Sequence, residues 1–340
     1  MKIGLLTIFN VPNYGALLQC YALSEYLRQL GHDVFLYNIP LSDVDRFVYR
    51  IKKRVKLNFM SDFHEKYLPR STRDLTKQAD LYMIGSDQVW NPEITGDKAF
   101  KYMFSFVGKG AKKVSYGASF GVSQWRKYSN MNEDVQKLLN DFSYITVREN
   151  SGVKLLQEIF NIDSCCVLDP CFLFDRYNDL IIEKEIFIKN QLTTYKLLYS
   201  YDWYCNIKKL SKNLNCSLFE LSPRILKRFD SIRGFNVKNY TVHEWLYNIA
   251  VAKYVITDSY HGCVFSILFQ KQFVLLKGHK NRFTRLESLL SDLDLTYRIA
   301  NSVSDCKEIL SIPIDYDKTN IILDKLKKYS KDQLLHMLEI

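Results

Sequence analysis

Short apolar runs that end in polar loops and lead into segments of helical spacing recur along this chain, and that alternation restricts the fold more than any other feature. Runs at residues 2–8, 33–38, 81–84, 113–116, 143–147 and 165–168, then at 195–201, 217–221, 254–257 and 273–276, read as buried strands. Strands alternating with helices predict parallel α/β sheets with helices on their faces. At 340 residues the chain exceeds what one hydrophobic core usually holds, so about two domains are expected. The polar, aperiodic stretch 175–194 predicts the hinge between them, with domains at 1–178 and 179–312. Residues 315–339 predict an amphipathic helix, so 313–340 is expected to cross back onto the first domain.

Composition excludes several classes of protein. With 47% apolar residues and only 13 Gly and 7 Pro, the chain is neither disordered nor of low complexity. Its eight cysteines form no C-x-x-C pair, which predicts reduced thiols, no zinc ribbon, no metal site and a cytoplasmic setting. No apolar run reaches the length of a membrane span, and residues 1–9 are too short for a signal peptide, so any membrane association is expected to be peripheral, at the inner face. The net charge of +10 calls for an anionic partner. Arg46, Arg50, Lys52, Lys53, Arg54 and Lys56 are interleaved with Phe47, Val48, Tyr49, Ile51 and Val55, a pattern suited to anionic lipid or to an ordinary solvated helix face. Nucleic acid is not expected.

In an open α/β sheet the loop leaving a strand's carboxyl end faces the ligand crevice, and the next helix offers free N–H groups and a positive dipole end. The loop at 257–262, T-D-S-Y-H-G, places Asp258, Ser259 and His261 in that position, with Gly262 allowing close approach. The alternative reading is that Asp258 or Ser259 only caps the helix. After the first strand, Asn13 and Gly15 open a helix without G-x-G-x-x-G, which disfavours a dinucleotide; Asn13 approaches a ligand or caps. Polar loops also follow the strands ending at Ile84 (Gly85 to Pro92), Tyr116 (Gly117 to Gly121) and Val147, where Arg148 stands at the exit as an anion fork or a surface ion-pair residue.

Five segments taken together, N-Y-G-A-L-L-Q-C-Y-A-L from Asn13, I-G-S-D-Q-V-W-N from Ile84, Y-G-A-S-F-G from Tyr116, I-T-V-R-E from Ile145 and T-D-S-Y-H-G from Thr257, resemble the polysaccharide pyruvyltransferases. The likeness runs in order from Met1 to about residue 300. It implies two Rossmann-like domains facing across a cleft, as in GT-B glycosyltransferases, with the acceptor on the first and the donor on the second. It also implies transfer of the pyruvyl group of phosphoenolpyruvate to a sugar, as a ketal, with release of phosphate.

By that resemblance His261 is the essential histidine and Arg148 the anion-binding arginine, and Asp87 joins them as catalytic. Several members carry S-x-R-x-H before the helix, whereas Ser259 stands two residues before His261 here. The missing cation is then sought in Lys277, Arg282 or Arg285, with Ser259 and Gly262 also on the donor. Asn13, Tyr14, Ser86, Gln88, Tyr116 and Ser119 fall on the acceptor side. No cofactor is implied, and the acceptor is expected on a polyprenyl diphosphate. Two other functions remain open at this point: a GT-B glycosyltransferase using a nucleotide sugar, and a non-catalytic polyanion-binding protein.

Overall fold

A computed structural model describes residues 1–39, 58–181, 190–197, 201–221, 240–278 and 283–339. The basic segment 46–56 and Arg282 lie outside these residues. The first sheet is built from β1 (Lys2–Leu6), β2 (Asp33–Tyr37), β3 (Ser71–Thr72), β4 (Leu81–Ile84), β5 (Lys113–Ala118), β6 (Tyr144–Val147) and β7 (Cys165–Cys166). Its order is β3-β2-β1-β4-β5-β6-β7, with every pair parallel. The second holds β8 (Gln191–Tyr195), β9 (Ser217–Glu220), β10 (Tyr254–Thr257), β11 (Gln272–Leu276) and β12 (Ile299–Ala300), in the order β12-β11-β10-β8-β9 and again parallel. The strand order reverses next to β1 in one sheet and next to β8 in the other, and ligand crevices of such sheets open at these points.

The helices follow from the local sequence. Asn13, in an extended conformation, accepts from the N–H groups of Gly15 and Ala16 and starts helix Tyr14–Gln29, after which Gly31 at φ 85° turns the chain toward β2. Ser259 caps helix Tyr260–Leu268 by accepting from Gly262 N–H. The two helices pack together within one apolar core that is continuous between the halves. There Tyr14 stacks on Trp245 at 5.4 Å, and its hydroxyl donates to the Tyr240 carbonyl at 2.6 Å.

One strand differs from the sequence expectation. β8 occupies Gln191–Tyr195, inside the stretch assigned to the hinge, whereas the apolar run after it leads into helix Tyr201–Asn213. Gln191, Thr193 and Thr194 are buried, and Thr193 Oγ1 donates to the Asn248 carbonyl at 2.7 Å. An inner strand built on buried polar side chains, of which Gln191 and Thr193 find hydrogen-bond partners, leaves no apolar periodicity to read.

The 24-residue helix Tyr316–Glu339 crosses from the second half to the first. Near its start the Tyr316 hydroxyl donates to the Lys271 carbonyl, and further along Ser330 Oγ accepts from Leu168 N–H at 2.9 Å. Among the described residues no helix is long and apolar enough to cross a membrane. Because Leu168 is buried and its N–H has Ser330 as partner, Ser330→Ala is expected to cost about 1–3 kcal/mol. In urea unfolding the midpoint should fall with the slope unchanged.

Candidate active site

Five strand exits converge on His261, which is 6% exposed in the first turn of helix Tyr260–Leu268. Gly262 does not hold that helix end open. A Cβ there would lie 2.3 Å from Thr257 Oγ1, so the glycine lets the helix fold back onto its own strand β10. Asp258 is likewise spent within the second half, pairing with Lys196 Nζ at 3.0 Å and accepting from Leu197 N–H at 2.8 Å. The close approach belongs to Gly15: a Cβ on it would stand 2.0 Å from His261 Nδ1. The helix that opens the first half therefore sits directly against the imidazole of the second.

The other ring nitrogen faces Asp169, which ends the segment after β7. His261 Nε2 lies 3.5 Å from Asp169 Oδ2, at the outer limit of a hydrogen bond, and has no hydrogen-bond partner. The same carboxylate oxygen accepts from Ser86 Oγ at 3.1 Å and pairs with Arg148 Nη1 at 2.6 Å, while Oδ1 accepts from Cys171 N–H at 3.0 Å. Burial alone would raise the pKa of Asp169, but His261 and Arg148 hold it well below the usual carboxylate range.

Arg148 leaves β6 with its side chain sealed from solvent. Burial works against its charge, and Asp169 and Asp87 outweigh burial and raise its pKa. Asp87 Oδ1 is 3.5 Å from Arg148 Nη2, and the guanidinium lies over the Tyr260 ring, 4.4 Å from its centroid. Arg285, buried at the start of helix Thr284–Asp292, lies 5.6 Å from the same ring. Burial and the charge of Arg148 lower its pKa, opposed by Glu149. Glu149 Oε1 accepts from Ser119 Oγ and from the N–H groups of Phe120 and Gly121. Burial pushes its carboxyl pKa up, against the pull of Arg285 and Arg148. Arg148 Nε and Nη2 and Arg285 Nε are buried without hydrogen-bond partners.

The structure thus brings together His261, Arg148, Asp87 and Arg285 from the sequence-derived set. Other members of that set hold the frame. Asn13 and Ser259 cap helices, Tyr14 fills the interface between the halves, Ser86 and Ser119 hold Asp169 and Glu149, and the buried Tyr116 hydroxyl donates to the Leu168 carbonyl at 3.1 Å. Gln88 Oε1 accepts from Asn91 Nδ2, and Lys277 is exposed after β11. Asp169, Glu149 and Tyr260 have no role in the sequence reading. Asp169 carries a readable signal, a carboxylate before proline at a strand exit, but Asp-Pro is also an ordinary turn.

Asp169, Cys171 and His261 offer ligand atoms within 4.8 Å of one another. A cation there would have to displace the Arg148 guanidinium from Asp169 and deprotonate a thiol whose pKa burial has pushed well up. The donor set fits a carboxylate held between imidazole and guanidinium better than a metal site.

Gly15→Ala should drive the imidazole from its place. Displacements of this size cost on the order of a hundredfold in turnover, and overpacking costs about 1–3 kcal/mol. Turnover and melting temperature measured on one preparation would check both.

Against known proteins, no curated sequence matches this chain. Solved structures match over nearly its whole length. UDP-GlcNAc 2-epimerase of Methanocaldococcus jannaschii, in complex with UDP-GlcNAc and UDP, aligns with TM-score 0.56 at 12% identity, covering 100% of this chain and 99% of that one. A putative UDP-N-acetylglucosamine 2-epimerase from Listeria monocytogenes gives 0.54 at 12%, covering 96% and 90%. The spinosyn forosaminyltransferase SpnP gives 0.52 at 13%, covering 96% and 95%. Identities this low carry the fold alone, and the fold is GT-B-like. The family model described as polysaccharide pyruvyl transferase matches residues 13–279, which take in every strand but β1 and β12 and every residue of the His261 cluster except Arg285, and the chain belongs to that family.

Proposed function

We propose that this enzyme transfers the pyruvyl group of phosphoenolpyruvate to two hydroxyls of a sugar in a bacterial cell-surface polysaccharide precursor, forming a ketal and releasing phosphate. One observation supports this donor above the others: two buried guanidinium groups, Arg148 and Arg285, flank Tyr260 beside His261 with N–H groups lacking partners. Unpaired buried donors are costly, and the phosphate and carboxylate oxygens of a compact anion satisfy them. Arg285 then takes the part of the arginine replaced by Ser259.

Ketal formation requires that a proton reach the methylene carbon of the donor as one sugar hydroxyl bonds to its central carbon. His261 gives that proton and takes the one lost by the hydroxyl, so the imidazole ends as it began. In the second half of the reaction the bond from the central carbon to the phosphate oxygen breaks. The second hydroxyl attacks, and its proton leaves with phosphate or through Asp87. Asp87 suits that place because its side chain is 14% exposed, whereas that of Asp169 is sealed. The acceptor is proposed to be carried on a polyprenyl diphosphate, with the basic residues between Arg46 and Lys56 drawn to anionic lipid.

The reading is tested by phosphate release from phosphoenolpyruvate with candidate sugar acceptors. His261→Ala should lower turnover by roughly a hundred- to ten-thousandfold. Arg285→Gln should mainly weaken donor binding, by about 1.5–3 kcal/mol for a charge-assisted contact. Phosphoenolpyruvate should raise the melting temperature and a nucleotide sugar should not. The opposite pattern of stabilisation would establish a nucleotide-sugar glycosyltransferase instead.

A further inference from the structure

We infer that Asp169 is a positioning residue for His261: it fixes the imidazole with the proton on Nε2 and leaves Nδ1, the nitrogen turned toward Gly15, as the atom that exchanges protons with substrate. The exchange of protons with substrate rests on the pyruvyl-transfer reading; the tautomer does not.

What Nε2 can bind decides the tautomer. It is buried, it has no hydrogen-bond partner, and the atom it faces at 3.5 Å is a carboxylate oxygen. An ionised carboxylate only accepts, so a bare Nε2 would set one lone pair against another, whereas Nε2–H satisfies both groups. The ionised state of Asp169 is secured independently by Arg148 Nη1 and Ser86 Oγ on Oδ2 and by Cys171 N–H on Oδ1. Among the described residues no donor reaches Nε2 to force the other tautomer, and the Tyr260 ring lies edge-on at 5.3 Å. With Nε2–H held, the bare Nδ1 takes the proton of the attacking hydroxyl and passes it to the methylene carbon, so the neutral ring ends as it began. The proton on Nε2 stays in place throughout.

Because Asp169 belongs to the first half and His261 to the second, this pairing also makes the working tautomer conditional on the halves being together. A residue with only a structural part, as counter-ion to Arg148, would not control which nitrogen is protonated.

Nitrogen-15 spectra of histidine-labelled wild-type enzyme read the tautomer without any donor. The chain has six histidines, and the His261 signals are those lost in His261→Gln. Protonated Nε2 with bare Nδ1 in the neutral ring is expected, and a proton on Nδ1 would overturn the inference. In the activity arm, Asp169→Asn should lower kcat by roughly 10- to 100-fold with the donor KM within about threefold, the scale of a misplaced catalytic group. In the His261→Ala background the same change should cost less than about twofold, because a residue acting through another has nothing left to act on. A full multiplicative loss there would reduce Asp169 to a structural part. If Asp169→Asn does not fold, Ser86→Ala, which removes one hydrogen bond from the same oxygen, should show a smaller loss of kcat with the same non-additivity. The correct tautomer without phosphate release from phosphoenolpyruvate would count against the proposed reaction and leave the positioning role standing.

Discussion

A single buried carboxylate, Asp169, holds this site together. It is fully enclosed, and removing one partner of a buried charge typically costs about 3–5 kcal/mol, so its surroundings are tightly constrained. Arg148 must leave β6 at the right height, Ser86 must follow β4, and His261 must reach across from the other half. The backbone that presents Asp169 is itself held: the Leu168 N–H by Ser330 of the last helix, and the Leu168 carbonyl by the Tyr116 hydroxyl. Gly15 then admits the imidazole at a distance no side chain would allow. The long C-terminal helix and the first glycine of the first helix serve the same pairing from opposite sides.

The site carries buried charges of both signs. Asp87, Asp169 and Glu149 face Arg148 and Arg285, so the cluster is not a simple trap for negative charge. Asp169 and Glu149 are already occupied by hydroxyl and backbone donors as well as by the arginines, which leaves specific guanidinium N–H groups unengaged. Those free donors have fixed directions, set by the two guanidinium planes about Tyr260. For the donor proposed above, two forks set about an aromatic ring suit a compact anion with two separated anionic groups better than a diffuse cationic patch would.

Much of this architecture was legible in the residues, and the parts that were not have physical reasons. The strand exits of both halves, the helix Asn150–Phe160 and the return of the last helix follow from apolar period and from caps such as Asn13. His261, Arg148 and Asp87 are legible as candidates because each stands at a strand exit, whereas Arg285 enters only, with Lys277 and Arg282, as a substitute for the arginine that the resemblance leaves missing at Ser259. Ser86 and Ser119 in those same loops turned inward to support buried carboxylates, and Tyr116 of β5 turned inward to the Leu168 carbonyl; sequence does not reveal which way such side chains face. Strand β8 was hidden because Gln191 and Thr193 meet their hydrogen-bonding needs within the core. Asp169 was hidden by looking like a turn. Its importance arises only when β4, β6 and helix Tyr260–Leu268 come together, from three distant parts of the chain.

Asp87 shows the same dependence from the side of the backbone. It adopts φ 77°, in the left-handed region that glycine enters freely and aspartate tolerates better than most residues. The conformation is held by a bridge to Ala118, with the Asp87 carbonyl accepting from Ser119 N–H at 3.0 Å, so the turn after β4 is tied to the loop after β5. Glycine would relieve the conformation but would remove the carboxylate beside Arg148. Backbone strain kept at a position where a less strained residue would fit is a mark of function when the side chain has a site to serve. Here the Asp87 carboxylate, 14% exposed, stands 3.5 Å from Nη2 of the sealed Arg148, so the turn after β4 carries a partly exposed acid onto a buried guanidinium.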